Sequence, residues 1–341
     1  MPPFVRKLAV ASPAAVYIDR TAIELPTPPK GCEVLSGTGI RVRLSGRRAV
    51  GVVFVAAFVA VSSGCSAHDG NRKPAGRDAS SKTTQAQPEP KDTRPGSGAA
   101  APEPKTAAQF VARARQTMGA EKGWTFALRG SESAVMQGQA PSSATYAATV
   151  HRTTDPAALQ QTGTVTTSKG VRKPEVVYVV GGTGYVKDAA EGWKKGPLSD
   201  PDIANDVEDP VAELDAFAAY AKSAEVSRTA TGVRLQVSAS GWQLSAARNR
   251  PALKRAVREV EPALDQLRKA GVTATDSQIA LKSFSESWDL DRAHGYRPAS
   301  HRYAFTFLVP FRGADITVSQ EVQADNGGVF GGSVALPSGV K

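Results

Sequence analysis

The chain has 341 residues, with 42 Lys and Arg against 32 Asp and Glu, a formal net charge of +10 and only two cysteines. The excess is unevenly placed. Residues 1–64 hold five of the ten net charges and residues 65–105 hold two, which leaves +3 for the other 236 residues. That balance is ordinary for a globular domain, so nucleic-acid binding is not expected, and Cys32 and Cys65 cannot make a disulfide framework.

Residues 1–40 contain Pro2, Pro3, Pro13, Pro26, Pro28 and Pro29 and no sustained periodicity. They precede a segment built as an export signal, and are expected to reflect a translation start set too far upstream, with Val42 as the initiator. The alternative is a genuine cytoplasmic extension. In residues 41–64, Arg41, Arg43, Arg47 and Arg48 form a basic region and residues 49–61 an uncharged apolar run. At 1.5 Å per residue that run covers roughly 20 Å, short of the ~30 Å hydrocarbon core of a bilayer. It therefore fits a cleaved signal peptide better than a permanent span. Ser62, Ser63, Gly64 and Cys65 follow. They resemble a bacterial lipobox, in which the cysteine sulfur receives a diacylglycerol and the signal is cut before it, here between Gly64 and Cys65. Ser62 departs from the leucine usual at that position. The expected location is the outer face of the cell membrane, held by lipid on Cys65.

Residues 66–105 are dominated by Pro, Gly, Ser, Ala and charges, without an aromatic or large aliphatic side chain. Such a segment cannot bury enough apolar surface to offset chain entropy, and is expected to be a disordered tether with a reach of roughly 30–40 Å.

Residues 106–341 are expected to form one domain. TAAQFVARARQTM (106–118) places Phe110, Val111, Ala114 and Met118 at helical spacing. Trp124, Phe126 and Leu128 alternate, as do Tyr146, Ala148 and Val150, and residues 163–168 and 175–180 read as further strands. Residues 182–198 read as a hairpin turning around 188–192. The acidic run SDPDIANDVEDP (199–210) reads as a solvated loop capping a second helix, which puts Val211, Leu214, Phe217 and Ala218 on one face. Val233, Leu235 and Val237 alternate once more. A third helix is expected from Asn249, with Pro251 near its first position, an apolar face of Leu253, Val257, Val260, Leu264 and Leu267, and a kink or break at Pro262. Strands at 279–289, 302–310 and 315–324 follow, with 294–298 as a turn and a short Val-rich piece after Gly327 and Gly328. Short turns between many strands argue for a meandering antiparallel sheet with a few helices on one face, an α+β architecture.

Chemistry-bearing motifs are absent from the sequence. His151, His294 and His301 have no metal-ligand spacing, and no G-x-S-x-G or Gly-Lys-Ser/Thr motif occurs. Glycines 181, 182 and 184 lie between two strands, so they read as turn residues. No metal, cofactor or enzymatic activity is expected, although residues distant in sequence can still assemble a site.

The stretches GTGYVKDAAEGWKKGPL (182–198) and DPVAELDAFAAYAKSA (209–224), together with the order of elements, resemble the LolA-like family of lipoprotein carriers. Within it they are most similar to the LppX/LprG-type actinobacterial lipoproteins and related Gram-positive lipoproteins of unknown function. The resemblance implies a strongly curved antiparallel half-barrel with helices on its concave face, able to hold a lipid or other hydrophobic ligand. Candidates for the cavity lining are Trp124, Phe126, Tyr185, Trp193, Leu214 and Phe217. The alternative for every one of them is core packing, in a cell-envelope interaction module with a solid core and no protein partner identifiable from the sequence.

Overall fold

The computed structural model describes residues 102–188 and 192–340. The expectations for the N-terminal extension, the signal peptide, Gly64, Cys65 and the tether as far as residue 101 lie outside these residues.

The described chain opens with α1 (Ala107–Gly119). Thr106 caps it through a reciprocal pair: its hydroxyl accepts from the Gln109 N–H, and the Gln109 amide oxygen accepts from the Thr106 N–H. Phe110, Val111, Ala114 and Met118 are buried, as their spacing predicts. Six strands follow: β1 (Gly123–Met136), β2 (Ser142–Thr153), β3 (Ala158–Thr167), β4 (Arg172–Val180), β5 (Thr183–Asp188) and β6 (Gly192–Pro197). Next come α2 (Pro201–Ala204), α3 (Pro210–Phe217), β7 (Glu225–Arg228), β8 (Gly232–Ala239) and β9 (Trp242–Gln243). The chain continues through α4 (Leu244–Ala247), α5 (Lys254–Lys269), β10 (Ala280–Asp291), β11 (Arg297–Phe311) and β12 (Ala314–Val329).

Among the described residues these strands form one antiparallel sheet in the order β6-β5-β4-β3-β2-β1-β12-β11-β10-β8-β7, with β9 beside β10. The order has a simple cause. The chain starts at the centre with β1, meanders out to one edge at β6, crosses through α2 and α3 to the other edge at β7, and meanders back to β12. There β12 pairs with β1 along almost the whole length of both strands. Because β6 and β7 do not pair, the sheet stays open, a curved half-barrel rather than a closed barrel.

Curvature is written into the strands. Register shifts interrupt the ladders at Thr125/Phe126, Leu281/Ser283 and Asp289/Leu290, and bulges of this kind bend a sheet. Gly130 lies directly opposite Tyr146, and a Cβ there would stand 2.0 Å from the tyrosine ring. The ring therefore lies flat across the strand where any other residue would lift it.

One face of the sheet is buried beneath the helices. Trp124, Phe126 and Leu128 on β1, Phe284 and Trp288 on β10, and Tyr303, Phe305 and Phe307 on β11 share a core with Phe110 of α1, Phe217 of α3 and Leu264 of α5. This core and all the strand pairings lie within residues 107–329, so residues 66–341 contain every element that the described fold uses.

Three local expectations change. The acidic run is no simple solvated loop: Asp200 caps α2, the carboxylate of Asp209 accepts from the Val211 and Ala212 N–H groups at the start of α3, and Glu208 is buried. The third helix is preceded by a 3-10 turn, Pro251–Leu253, and α5 then runs unbroken through Pro262. An interior proline costs about 3 kcal/mol, but Val260, Ala263 and Leu264 on either side of it are all buried, which offsets that cost. Finally, β12 continues to Val329 rather than stopping at Ala324, with Gly327 bulging out between the Phe126–Asn326 and Thr125–Gly328 pairs.

Candidate functional site: the helix-covered face of the sheet

Four of the six candidate lining residues meet on this face. Trp124 is 1% exposed, Phe126 2%, Leu214 1% and Phe217 0%. The Trp124 indole N–H donates to the Met118 carbonyl at 2.8 Å, which ties β1 to the end of α1. Phe217 packs edge-on against Tyr220 at 5.1 Å and lies 6.2 Å from Trp288.

The other two lie elsewhere, and strand register says where. Phe126, Val150, Gln161, Val177 and Val186 oppose one another in a continuous row across β1 to β5, on the helix-covered face. One residue along, Thr125, His151, Gln160, Tyr178 and Tyr185 form the neighbouring row, which the alternation of side chains assigns to the opposite face. Trp193 shares that opposite face through its pairing with Lys187, and packs 5.9 Å from Tyr178. Tyr185 and Trp193 are half-buried there, away from Phe126 and Phe217.

What the sequence did not reveal is a polar network in the middle of the covered face. Arg255 of α5 is its hub. Its guanidinium donates from Nε to Glu259 Oε1 at 2.8 Å and from Nη2 to Glu208 Oε2 at 3.1 Å, and Nη1 pairs with Glu213 Oε2 at 3.0 Å. The Tyr146 hydroxyl donates to Glu208 Oε1 at 3.1 Å, and the Glu208 N–H donates to Gln161 Oε1 at 3.2 Å. The Gln161 amide in turn donates to Glu175. Five elements, β2, β3, β4, α3 and α5, are thereby joined to the segment carrying Glu208. Burial by itself would lower the Arg255 pKa, but the Glu213 and Glu259 carboxylates more than reverse this and hold it well above its ordinary value. The guanidinium therefore stays charged.

A second cluster adjoins it. Glu286 stands opposite Tyr303 on the β10–β11 ladder and accepts two hydrogen bonds, from the Tyr220 hydroxyl at 2.6 Å and from His301 Nε2–H at 3.0 Å. His301 stacks on Trp288 with ring centres 3.9 Å apart. Burial, and then the neighbouring Glu286 carboxylate, push the Tyr220 pKa far above that of a free tyrosine, so its hydroxyl remains a donor. Two signals in the sequence point to these residues. Glu286 keeps the alternation of Phe284, Trp288 and Leu290, and His301 keeps that of Tyr303, Phe305 and Phe307. A polar residue in the buried phase of a strand needs a partner.

Near the β10–β11 turn, His294 Nδ1–H donates to Asp291 at 2.6 Å and Arg234 makes a two-pronged contact with Asp289 at 2.7 and 2.8 Å. Among the described residues no group of three or more His, Cys, Asp or Glu side chains is arranged to hold a metal ion.

No protein-family model and no curated protein matches the sequence. Among solved structures, the chain is similar to a β-barrel-like protein of a domain of unknown function from Brucella abortus, at 8% identity over 60% of this chain and 98% of that one, with a TM-score of 0.21. It is similar also to a LolA superfamily protein from Nitrosomonas europaea, at 8% identity over 65% of this chain and 93% of that one, with a TM-score of 0.22. Superpositions this loose carry no functional argument.

Proposed function

We propose that the chain is a lipoprotein anchored through Cys65 to the outer face of the cell membrane, and that its half-barrel takes up a lipid or other hydrophobic ligand between sheet and helices. The supporting observation is the open sheet. Its covered face is lined by Trp124, Phe126, Trp288, Phe305 and Phe307, with Phe217 of α3 packed against Trp288, while β6 and β7 leave the two edges unjoined. Separating the helices from such a face exposes its aromatic and aliphatic side chains around the Glu208–Gln161 and Glu286–His301 polar groups, and each methylene of an acyl chain buried against them contributes about 0.8 kcal/mol. The sequence resemblance implies the same class of cargo, and the lipobox supports the anchor.

Native mass spectrometry of residues 66–341, purified from a membrane-containing host and again after incubation with phospholipid, tests the cargo. The expected result is an adduct of lipid mass and a raised melting temperature. Spectra without an adduct in both preparations, with an unchanged melting temperature, overturn it. For the anchor, Cys65→Ser in the full chain should release the protein from the membrane fraction, and retention of an unlipidated chain would argue for a signal anchor instead.

A second function, a solid-core interaction module of the cell envelope, is favoured by one observation. Trp124, Phe126, Leu214 and Phe217 are packed at 2% exposure or less. It requires a protein partner recovered by cross-linking at the surface of the anchored chain.

A further inference from the structure

The two ends of the half-barrel differ in chemistry. The chain enters the described unit at one of them: Glu103 accepts a hydrogen bond from the Tyr296 hydroxyl at 2.8 Å and pairs with Arg292 at 3.2 Å, both in the β10–β11 connection. Register places the β2–β3 and β4–β5 turns at this same end. Cations and carboxylates are mixed there, with Arg228, Arg292 and Arg297 near Glu103, Asp291 and Asp325.

The opposite end carries the β1–β2, β3–β4 and β11–β12 turns together with β9. The β3–β4 turn presents Lys169, Arg172 and Lys173, all exposed, around Val171, which is 50% exposed. The β11–β12 turn presents Arg312, whose guanidinium lies 4.9 Å from the Phe311 ring. Beside β9, Arg250 stacks 3.9 Å from the Trp242 ring, and Lys282 is exposed. Among the described residues none of these six cations forms an ion pair. Asp315 is the one carboxylate within these turns, since Asp276 is engaged by Arg248 and Arg268. The neighbouring β5–β6 hairpin has Lys187, Lys194 and Lys195 against Asp188 and Glu191 and adds one net positive charge. At about 4.8 Å between strands, the cationic turns extend along roughly 30 Å of rim.

We propose that this rim is a docking surface for an anionic bilayer. Charge complementarity selects the occupant, and the apolar residues select a bilayer over a soluble polyanion. An arginine stacked on a half-buried aromatic sends its charged head to the phosphates while the ring reaches the acyl boundary, and Val171 sits at the tip of the most basic turn. A lysine or arginine near an anionic surface raises partitioning about fivefold, so several acting together suffice for reversible, salt-sensitive binding. The surface is independent of whether the core holds a cargo.

Residues 66–341 are sedimented with vesicles of phosphatidylcholine mixed with phosphatidylglycerol, and with phosphatidylcholine alone. Binding is expected to the mixed vesicles only, and to be lost in about 0.5 M salt. Combining Lys169→Glu, Arg172→Glu and Lys173→Glu should lower partitioning at least tenfold with an unchanged circular dichroism spectrum, since these side chains are exposed. Lys122→Glu and Arg228→Glu, at the opposite end, should leave it unchanged. Equal binding to neutral vesicles, no binding to mixed vesicles, or an unaffected triple variant overturns the proposal. So does binding to soluble heparin as tight as to vesicles combined with no effect of Val171→Ser, which would mark a polyanion site. The lipid adduct in native mass spectra reads the cargo separately, so each idea can fail without the other.

Discussion

The guanidinium of Arg255 lies 4.1 Å from the centre of the Tyr303 ring, so a helix cation is set down on the covered face of β11. Three carboxylates, Glu208, Glu213 and Glu259, converge on the same group from the chain before α3, from α3 and from α5 itself. Ion pairs of this depth add little net stability over a hydrophobic equivalent, but losing one partner strands the others. Arg255→Met is therefore expected to cost about 3–5 kcal/mol. Arg255→Lys, unable to span three acceptors with one planar fork, should restore only part of that. Urea unfolding of residues 66–341 measures both, and a loss below about 1 kcal/mol for the methionine variant would show that the network is incidental.

Alternation and helical spacing made the framework legible. Phe110 to Met118, the β1 aromatics and the long closing strands behave as their periodicity requires, because apolar burial sets both their phase and their extent. Two kinds of feature escaped. Arg255 and Glu259 are one helical turn apart and look like an ordinary exposed i,i+4 pair, and only the approach of Glu208 and Glu213 from elsewhere in the chain makes them central. Tyr185 and Trp193 resemble lining residues by type, but which face an aromatic takes depends on register across four strands, which one strand's sequence does not encode.

The pair Arg234–Asp289 links β8 to β10 and gives stability a pH dependence. The Arg234 hydrogen bond holds the Asp289 carboxyl below its usual value, against the effect of partial burial. Because the folded-state pKa is depressed, the contribution is complete above the unfolded value of about 4 and is lost as pH falls through the folded one. Both side chains are partly exposed, which limits the pair to about 1 kcal/mol. Asp289→Asn should be less stable than wild type by that amount at neutral pH and indistinguishable from it in strong acid. A gap that persists at low pH would assign the effect to packing.

Gly130 supplies the space into which Tyr146 lies, and the tyrosine hydroxyl then reaches Glu208. A methyl group at residue 130 would meet two ring carbons of Tyr146 at 2.0 and 2.2 Å and its hydroxyl oxygen at 2.5 Å. Gly130→Ala should therefore displace the ring, break the hydrogen bond and cost about 2–3 kcal/mol. The double variant Gly130→Ala with Tyr146→Leu tests the cause. If the clash is with the ring, the two losses are strongly non-additive in a thermal or urea cycle, and simple additivity would locate the strain in the strand backbone.

Phe217 and Trp193 separate the two faces of the sheet by experiment. Phe217 is fully buried against Tyr220 and Trp288, so Phe217→Ala opens a void in the shared core and should cost about 3–5 kcal/mol. Trp193 lies half-exposed near the open edge, with Lys187 5.9 Å from its ring, and Trp193→Ala should cost about 1 kcal/mol or less. The same variants discriminate at the level of cargo. If an acyl chain enters beneath α3, the space vacated by Phe217 should strengthen or alter lipid retention in native mass spectra, while Trp193→Ala leaves it as in wild type. Loss of retention with Trp193→Ala and none with Phe217→Ala would put the ligand on the opposite face, against β5 and β6.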